Sequence, residues 1–137
     1  MTSKLSVDSL EGRTTKGSIV VMGGGTSKTT NLQQGLAKVW FNMDCTGTPS
    51  YRDSLNCSSL TDGGTGTMTN NFTNNMSNAT YSLSGGAGGA AGTWANSIAH
   101  FSESTPDTTS TSKLGISYNG SWADTDRNSG SYHGDLA

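Results

Sequence analysis

The sequence predicts an all-β fold: a small antiparallel β-sandwich, jelly-roll-like, preceded by an extended N-terminal segment. Three observations point there. Ser (21), Thr (20), Gly (19) and Asn (11) make up 71 of 137 residues, while only 13% are charged and 31% hydrophobic. Both shares fall well below those of an average soluble domain, and Ala, Leu, Glu, Lys and Arg are too sparse for a helical bundle. Three Trp, four Tyr and three Phe are spread along the chain with only two Pro, which argues against a disordered polar polymer. Finally, about seven short strand-like runs are separated by turn residues every 8–12 positions, the spacing of a sandwich.

Residues 1–36 read as an extended leader with no core of its own. Leu5, Val7 and Leu10 form a short apolar patch, and Ser18 to Met22 is a β-branched run that reads as a strand. Gly23-Gly24-Gly25 breaks it, and Asn31 to Leu36 reads as one helical turn. A compact region, 37–137, follows. Residues 37, 39, 41, 43 and 45 are apolar and 38, 42 and 44 polar, with Trp40 the exception; this is strand alternation with one face buried. Thr46 to Pro49 is a turn, Ser54 to Leu60 a second strand, and Asp62-Gly63-Gly64 a tight turn. Strands are expected again at Thr65 to Phe72, Tyr81 to Ser84, Ser97 to Phe101 and Leu114 to Tyr118, and a closing strand at Ser131 to Ala137. Gly85 to Gly92 reads as a flexible loop tip.

Several function classes are excluded or disfavoured. No run of about 18 apolar residues occurs, so no membrane insertion is expected, and the start MTSKLSVDSL lacks the apolar core of a signal peptide. A net charge of −2 speaks against nucleic acid as a partner, which requires clustered cations. Gly23 to Thr29 lacks the Gly directly before the Lys that a phosphate-binding loop needs. Asp124-Thr125-Asp126-Arg127-Asn128-Ser129-Gly130 has the alternating oxygens of a calcium loop. Its Gly falls one position late and its twelfth ligand would be Asp135, so a solvated loop is the better reading. The two histidines, His100 and His133, are not clustered with the cysteines as zinc would require, and no nucleophile elbow is present. We therefore expect no catalytic residues, no metal and no cofactor. Cys45 and Cys57 fall where a hairpin brings them near each other. Without a secretion signal they are read as reduced thiols packed as small hydrophobes.

The residues from Ala37 to Gly85 carry a resemblance. Ala37-Lys38-Val39-Trp40-Phe41-Asn42, Thr46-Gly47-Thr48, and Arg52-Asp53-Ser54-x-Asn56-x-Ser58-Ser59-x-Thr61-Asp62-x-Gly64-Thr65-Gly66, continuing through Asn71-Phe72, Met76 and Tyr81, resemble a module of bacteriophage virion proteins. The module occurs in tail-fibre and related appendage proteins of marine and cyanobacterial phages. His133 to Ala137 is similar to the carboxyl end of such proteins, and Ser3 to Leu10 to their tethering segments. Cys45 stands where the pattern usually has Gly, and Cys57 where it has a β-branched residue. The resemblance implies a trimeric, all-β structural protein without catalysis, located on the virion and assembled in the bacterial cytoplasm.

The combined expectation is a phage virion structural protein, a short homotrimeric fibre or appendage of tail or capsid. Residues 1–36 would attach it to other phage structural proteins through Leu5, Val7, Leu10, Ile19 and Val21. The thin core is to be completed by neighbouring subunits. Trp94 and Trp122 are the candidate contacts to a host-surface glycan, since exposed indoles stack on sugar faces. The alternative is a free carbohydrate-binding module or lectin with no virion attachment.

Overall fold

The computed structural model describes residues 4–15, 19–22, 29–89, 107–118 and 120–137, together with the backbone of 97–100. The chain divides into two compact units, Met1–Leu36 and Ala37–Ala137. In the first unit β1 (Val20–Met22) pairs antiparallel with β2 (Thr29–Asn31). Asn31 then caps the single turn α1 (Leu32–Gly35), its Oδ1 accepting the Gln34 amide at 3.1 Å, which satisfies one orphan donor of the helix start.

The second unit is the expected all-β sandwich. One sheet runs β4 (Ser50–Leu55), β3 (Val39–Asp44), β11 (Arg127–His133), β7 (Ser82–Gly88). The other runs β10 (Ser121–Trp122), β9 (Thr111–Tyr118), β6 (Thr67–Phe72), β5 (Cys57–Asp62), with β8 (Ser97–His100) also on β9. Gly115 pairs with both Thr67 and Ala99, so β8 occupies the edge of β9 opposite β6. All pairings are antiparallel. Each sheet thus combines one sequential hairpin, β3–β4 or β5–β6, with strands from the second half of the chain.

The core lies between the sheets and follows from alternation. Val39, Phe41 and Met43 of β3 face Met68 and Phe72 of β6 and Leu114 and Ile116 of β9, and Cys45, Met76, Tyr81 and Tyr132 complete the cluster. Tyr132 is its hub. Its ring lies 5.4 Å from those of Phe72 and Tyr81 and 6.1 Å from that of Phe41, in the tilted and edge-on arrangements aromatic pairs favour. Polar groups also enter this small core: Asn70, Ser112 and Asn128 are fully buried.

Three segments depart from the sequence expectation. The single strand expected over Ser54 to Leu60 is two strands in different sheets, broken at Asn56, whose φ is +59°. Asn tolerates this left-handed geometry, and its side chain holds the corner by bonding the Asn74 amide at 2.7 Å and the Asn74 carbonyl at 3.1 Å. The glycine tract expected as a loop tip is strand β7 as far as Gly88; residues 90–92 lie outside the described residues. The loop expected at 124–130 becomes strand from Arg127 onward.

Gly66 shows why the turn before β6 needs glycine. Its φ is +69°, and a Cβ would lie 2.6 Å from the Ile116 carbonyl and 2.7 Å from the Ala123 amide.

Candidate functional site

The expected attachment residues sit in the first unit with their apolar surfaces open. Leu5 is 78% exposed, Val7, Leu10 and Val21 are exposed, and Ile19 is half-buried. Val20 and Met22 are exposed as well, so both faces of β1 carry uncovered apolar side chains. Among the expected glycan contacts, Trp94 lies outside the described residues. Trp122, on β10, is 52% exposed, and its Cβ lies 3.0 Å from where a Gly66 side chain would begin. Gly23 to Lys28 and the side chain of His100 also lie outside the described residues, while His133 stands opposite Ser82 on β11.

In the calcium-like segment the Asp124 carboxylate and the Asp126 backbone carbonyl serve structural contacts, while Asp126 Oδ1 is buried without a hydrogen-bond partner among the described residues. Asp124 Oδ1 accepts the Gly66 amide at 2.7 Å, and the Asp126 carbonyl accepts from the Arg52 guanidinium. Arg52 is an extra residue in β4: Asn42 pairs with Asp53 and Met43 with Tyr51, leaving it between them. From that bulge its guanidinium also reaches Asp44 at 2.9 Å. The Asp44 carboxylate is held below its ordinary range chiefly by the Thr46 hydroxyl and amide, with Arg52 a smaller contributor. Beneath this corner Asn128 bonds the Thr125 carbonyl at 2.8 Å and accepts the Thr125 hydroxyl at 2.5 Å.

Both cysteines are free thiols. Burial pushes the Cys45 thiol up to about 12, with Asp124 and Asp44 adding to the effect, and burial raises Cys57 as well. Thiols that hold their protons so firmly are poor nucleophiles and poor metal ligands.

One surface brings together groups that the sequence reading did not connect. Register places Trp40, Ser131 and Ser84 in one row across β3, β11 and β7, and Asn42, Ser129 and Gly86 in the next outward row. Because Phe41, Asn128, Tyr132, Leu83 and Ala87 belong to or pack on the core, these intervening residues face outward. All of these but Asn42, together with Phe41, Gly130 and Gly85 of the row between, line an open groove of about 390 Å³, within the size range of small-molecule sites. Among the described residues no charged side chain lines it. The three serine hydroxyls make no side-chain hydrogen bond among the described residues. Trp40 is not one of the expected glycan contacts. The signal for it is its interruption of the alternation in 37–45, an aromatic placed on the polar face of a strand.

Neither a family model, nor a curated protein, nor a solved structure matches the chain. Among the described residues no helix is long and apolar enough to cross a membrane.

Proposed function

We propose that this chain is a bacteriophage virion structural protein, a short homotrimeric fibre or appendage of tail or capsid, anchored through residues 1–36 and presenting residues 37–137 for contact, including contact with host-surface glycans. The observation that carries the reading is the uncovered apolar surface of the first unit, with Leu5 at 78% and Met22 at 64% exposure. A two-stranded ribbon is marginal in water on its own, and apolar side chains on both faces of β1 call for cover on both sides. Sister chains around a closed symmetry axis, or another virion protein, supply that cover. The sandwich buries its own core within one chain, where the sequence reading expects neighbours to complete it, and leaves a neutral Ser/Thr/Gly/Asn surface, which suits a displayed head. The resemblance of Ala37 to Gly85 to phage appendage proteins points the same way.

The test is localisation. A labelled antibody against the body should decorate purified particles, and native mass spectrometry of the full chain should give a trimer. Exchanging Val20 and Met22 for Asp should remove the protein from particles without lowering the melting temperature of the body. A micromolar monomer would exclude the trimer, and normal incorporation of the Asp variant would exclude the anchor.

A further inference from the structure

We infer that the groove on the outer face of the β4–β3–β11–β7 sheet is a binding site for a neutral sugar ring, with Trp40 as the stacking platform and Ser84, Ser129 and Ser131 as its hydrogen-bonding groups. The inference builds on the glycan-contact half of the proposed function and is independent of virion anchoring.

The chemistry of the walls selects the ligand class. An indole offers a flat apolar face that suits the C–H face of a pyranose. Each serine hydroxyl is both donor and acceptor, the complement of a sugar hydroxyl, and all three are uncommitted within the described residues. With no charged residue in its described lining, the groove favours a neutral ligand over a phosphate, sulfate or carboxylate. Strands lie about 4.8 Å apart, so β3 to β7 spans roughly 10 Å, room for one ring over β11 with its C–H face toward Trp40.

Gly86 supplies a second, independent observation. It sits mid-strand, and its φ is not among the positive values. A Cβ there would meet nothing within 4 Å among the described residues. Among the described residues, neither backbone geometry nor packing requires glycine at this position, and glycine in a strand interior costs stability. Its missing side chain instead keeps the groove open next to Ser129, as glycines do where a ligand approaches the backbone closely. Gly85 and Gly130 differ, since a Cβ on either would press on atoms of the protein itself.

The experiment follows the indole N–H resonances of the full-length protein by NMR while cellotriose, maltotriose, mannotriose and chitotriose are each added to about 10 mM, ten times a millimolar Kd. Trp40→Phe assigns the Trp40 signal. At least one probe should shift that signal saturably and leave Trp122 unmoved. Gly86→Val, which fills open space and suits a strand, should weaken binding at least about tenfold with no fall in melting temperature, consistent with loss of a fitted contact. Trp40→Ala should abolish binding. The inference is overturned if no probe shifts Trp40, if only Trp122 responds, or if Gly86→Val binds as the parent does. It is equally overturned if Gly86→Val changes the mass of the assembly, which would make the groove a subunit contact. A null titration leaves particle localisation, and with it the appendage reading, standing.

Discussion

Gly130 and Gly86 lie on adjacent strands, yet replacing each by alanine should move stability in opposite directions. A Cβ on Gly130 points into the sandwich, 2.7 Å from Phe41 Cζ, 3.0 Å from Phe41 Cε1 and 3.2 Å from Leu83 Cδ1. Phe41 is 2% exposed and packs against Tyr132, so its ring has little room to retreat. Overpacking of this kind costs about 1–3 kcal/mol. Taking about 2 kcal/mol, and about 4–8 °C per kcal/mol for a domain of this size, Gly130→Ala should lower the melting temperature by about 8–16 °C. A Cβ on Gly86 meets nothing among the described residues, and alanine restricts the unfolded chain, which is worth about 0.4–1 kcal/mol. Gly86→Ala should therefore raise the melting temperature by a few degrees. Thermal unfolding by circular dichroism, with urea denaturation as a check that the m-value is unchanged, measures both. Equal destabilisation by the two substitutions would refute the assignment of inward and outward faces. A neutral Gly130→Ala would refute the claim that the Phe41 ring is held.

Two further outcomes test the interior. Asn128→Ala strands the buried Thr125 hydroxyl and carbonyl that the amide satisfies and should cost about 2–3 kcal/mol by chemical denaturation, whereas Tyr132→Phe should cost less, because the buried Tyr132 hydroxyl lies near Ser112 and Asn70 but meets strict hydrogen-bond geometry with no described residue; an equal loss in the second case would show a well-formed bond there. Burial raises the acid groups Cys45, Tyr51, Tyr81 and Tyr132 in the folded state, so their contribution is intact below their unfolded values, near 9 for the thiol and 10 for the tyrosines. It is lost as pH rises, for Cys45 between about 9 and 12. The tyrosinate absorbance of Tyr51, Tyr81 and Tyr132, read against a Tyr118→Phe background, should therefore appear together with alkaline unfolding, and tyrosinate formed by Tyr132 before unfolding would count against the burial assignment. Both thiols should react with a disulfide reagent only on unfolding, and reductant should leave the melting temperature unchanged.

What the sequence makes legible is the part of the fold built from apolar alternation. Val39 to Asp44 and Thr67 to Phe72 place large side chains at every second position, and such strands announce both themselves and their buried faces. β11 does not, because its inward positions are Asn128, Gly130 and Tyr132. An amide and a glycine carry no hydrophobic signal, and the Asp and Asn around them read as a turn. β7 is opaque for a related reason: glycines have no side chain to alternate, and its pairing rests on the backbone ladder with β11. At Asn56 the chain changes sheet without Gly or Pro, the usual punctuation, since asparagine takes the left-handed corner and ties it to Asn74 itself.

The groove shows the same limit more sharply. Trp40 is conspicuous locally as the one aromatic breaking a polar face, but its neighbours Ser84, Gly86, Ser129 and Ser131 come from two strands far along the chain. Only register brings them together, and a slip of one residue would turn every outward side chain of β11 inward. The residue that opposes such a slip is Gly130. It lies between Phe41 and Gly85 in the ladder, and the Phe41 ring occupies the space its missing Cβ leaves. Shifted by one, β11 would present Ser129 or Ser131 to that ring, at the cost expected for Gly130→Ala or more, and would carry Asn128 and Tyr132 out of the core. The close contact beneath the sheet thus selects which hydroxyls stand above it, so the inner packing and the outer binding surface are set by one choice of register.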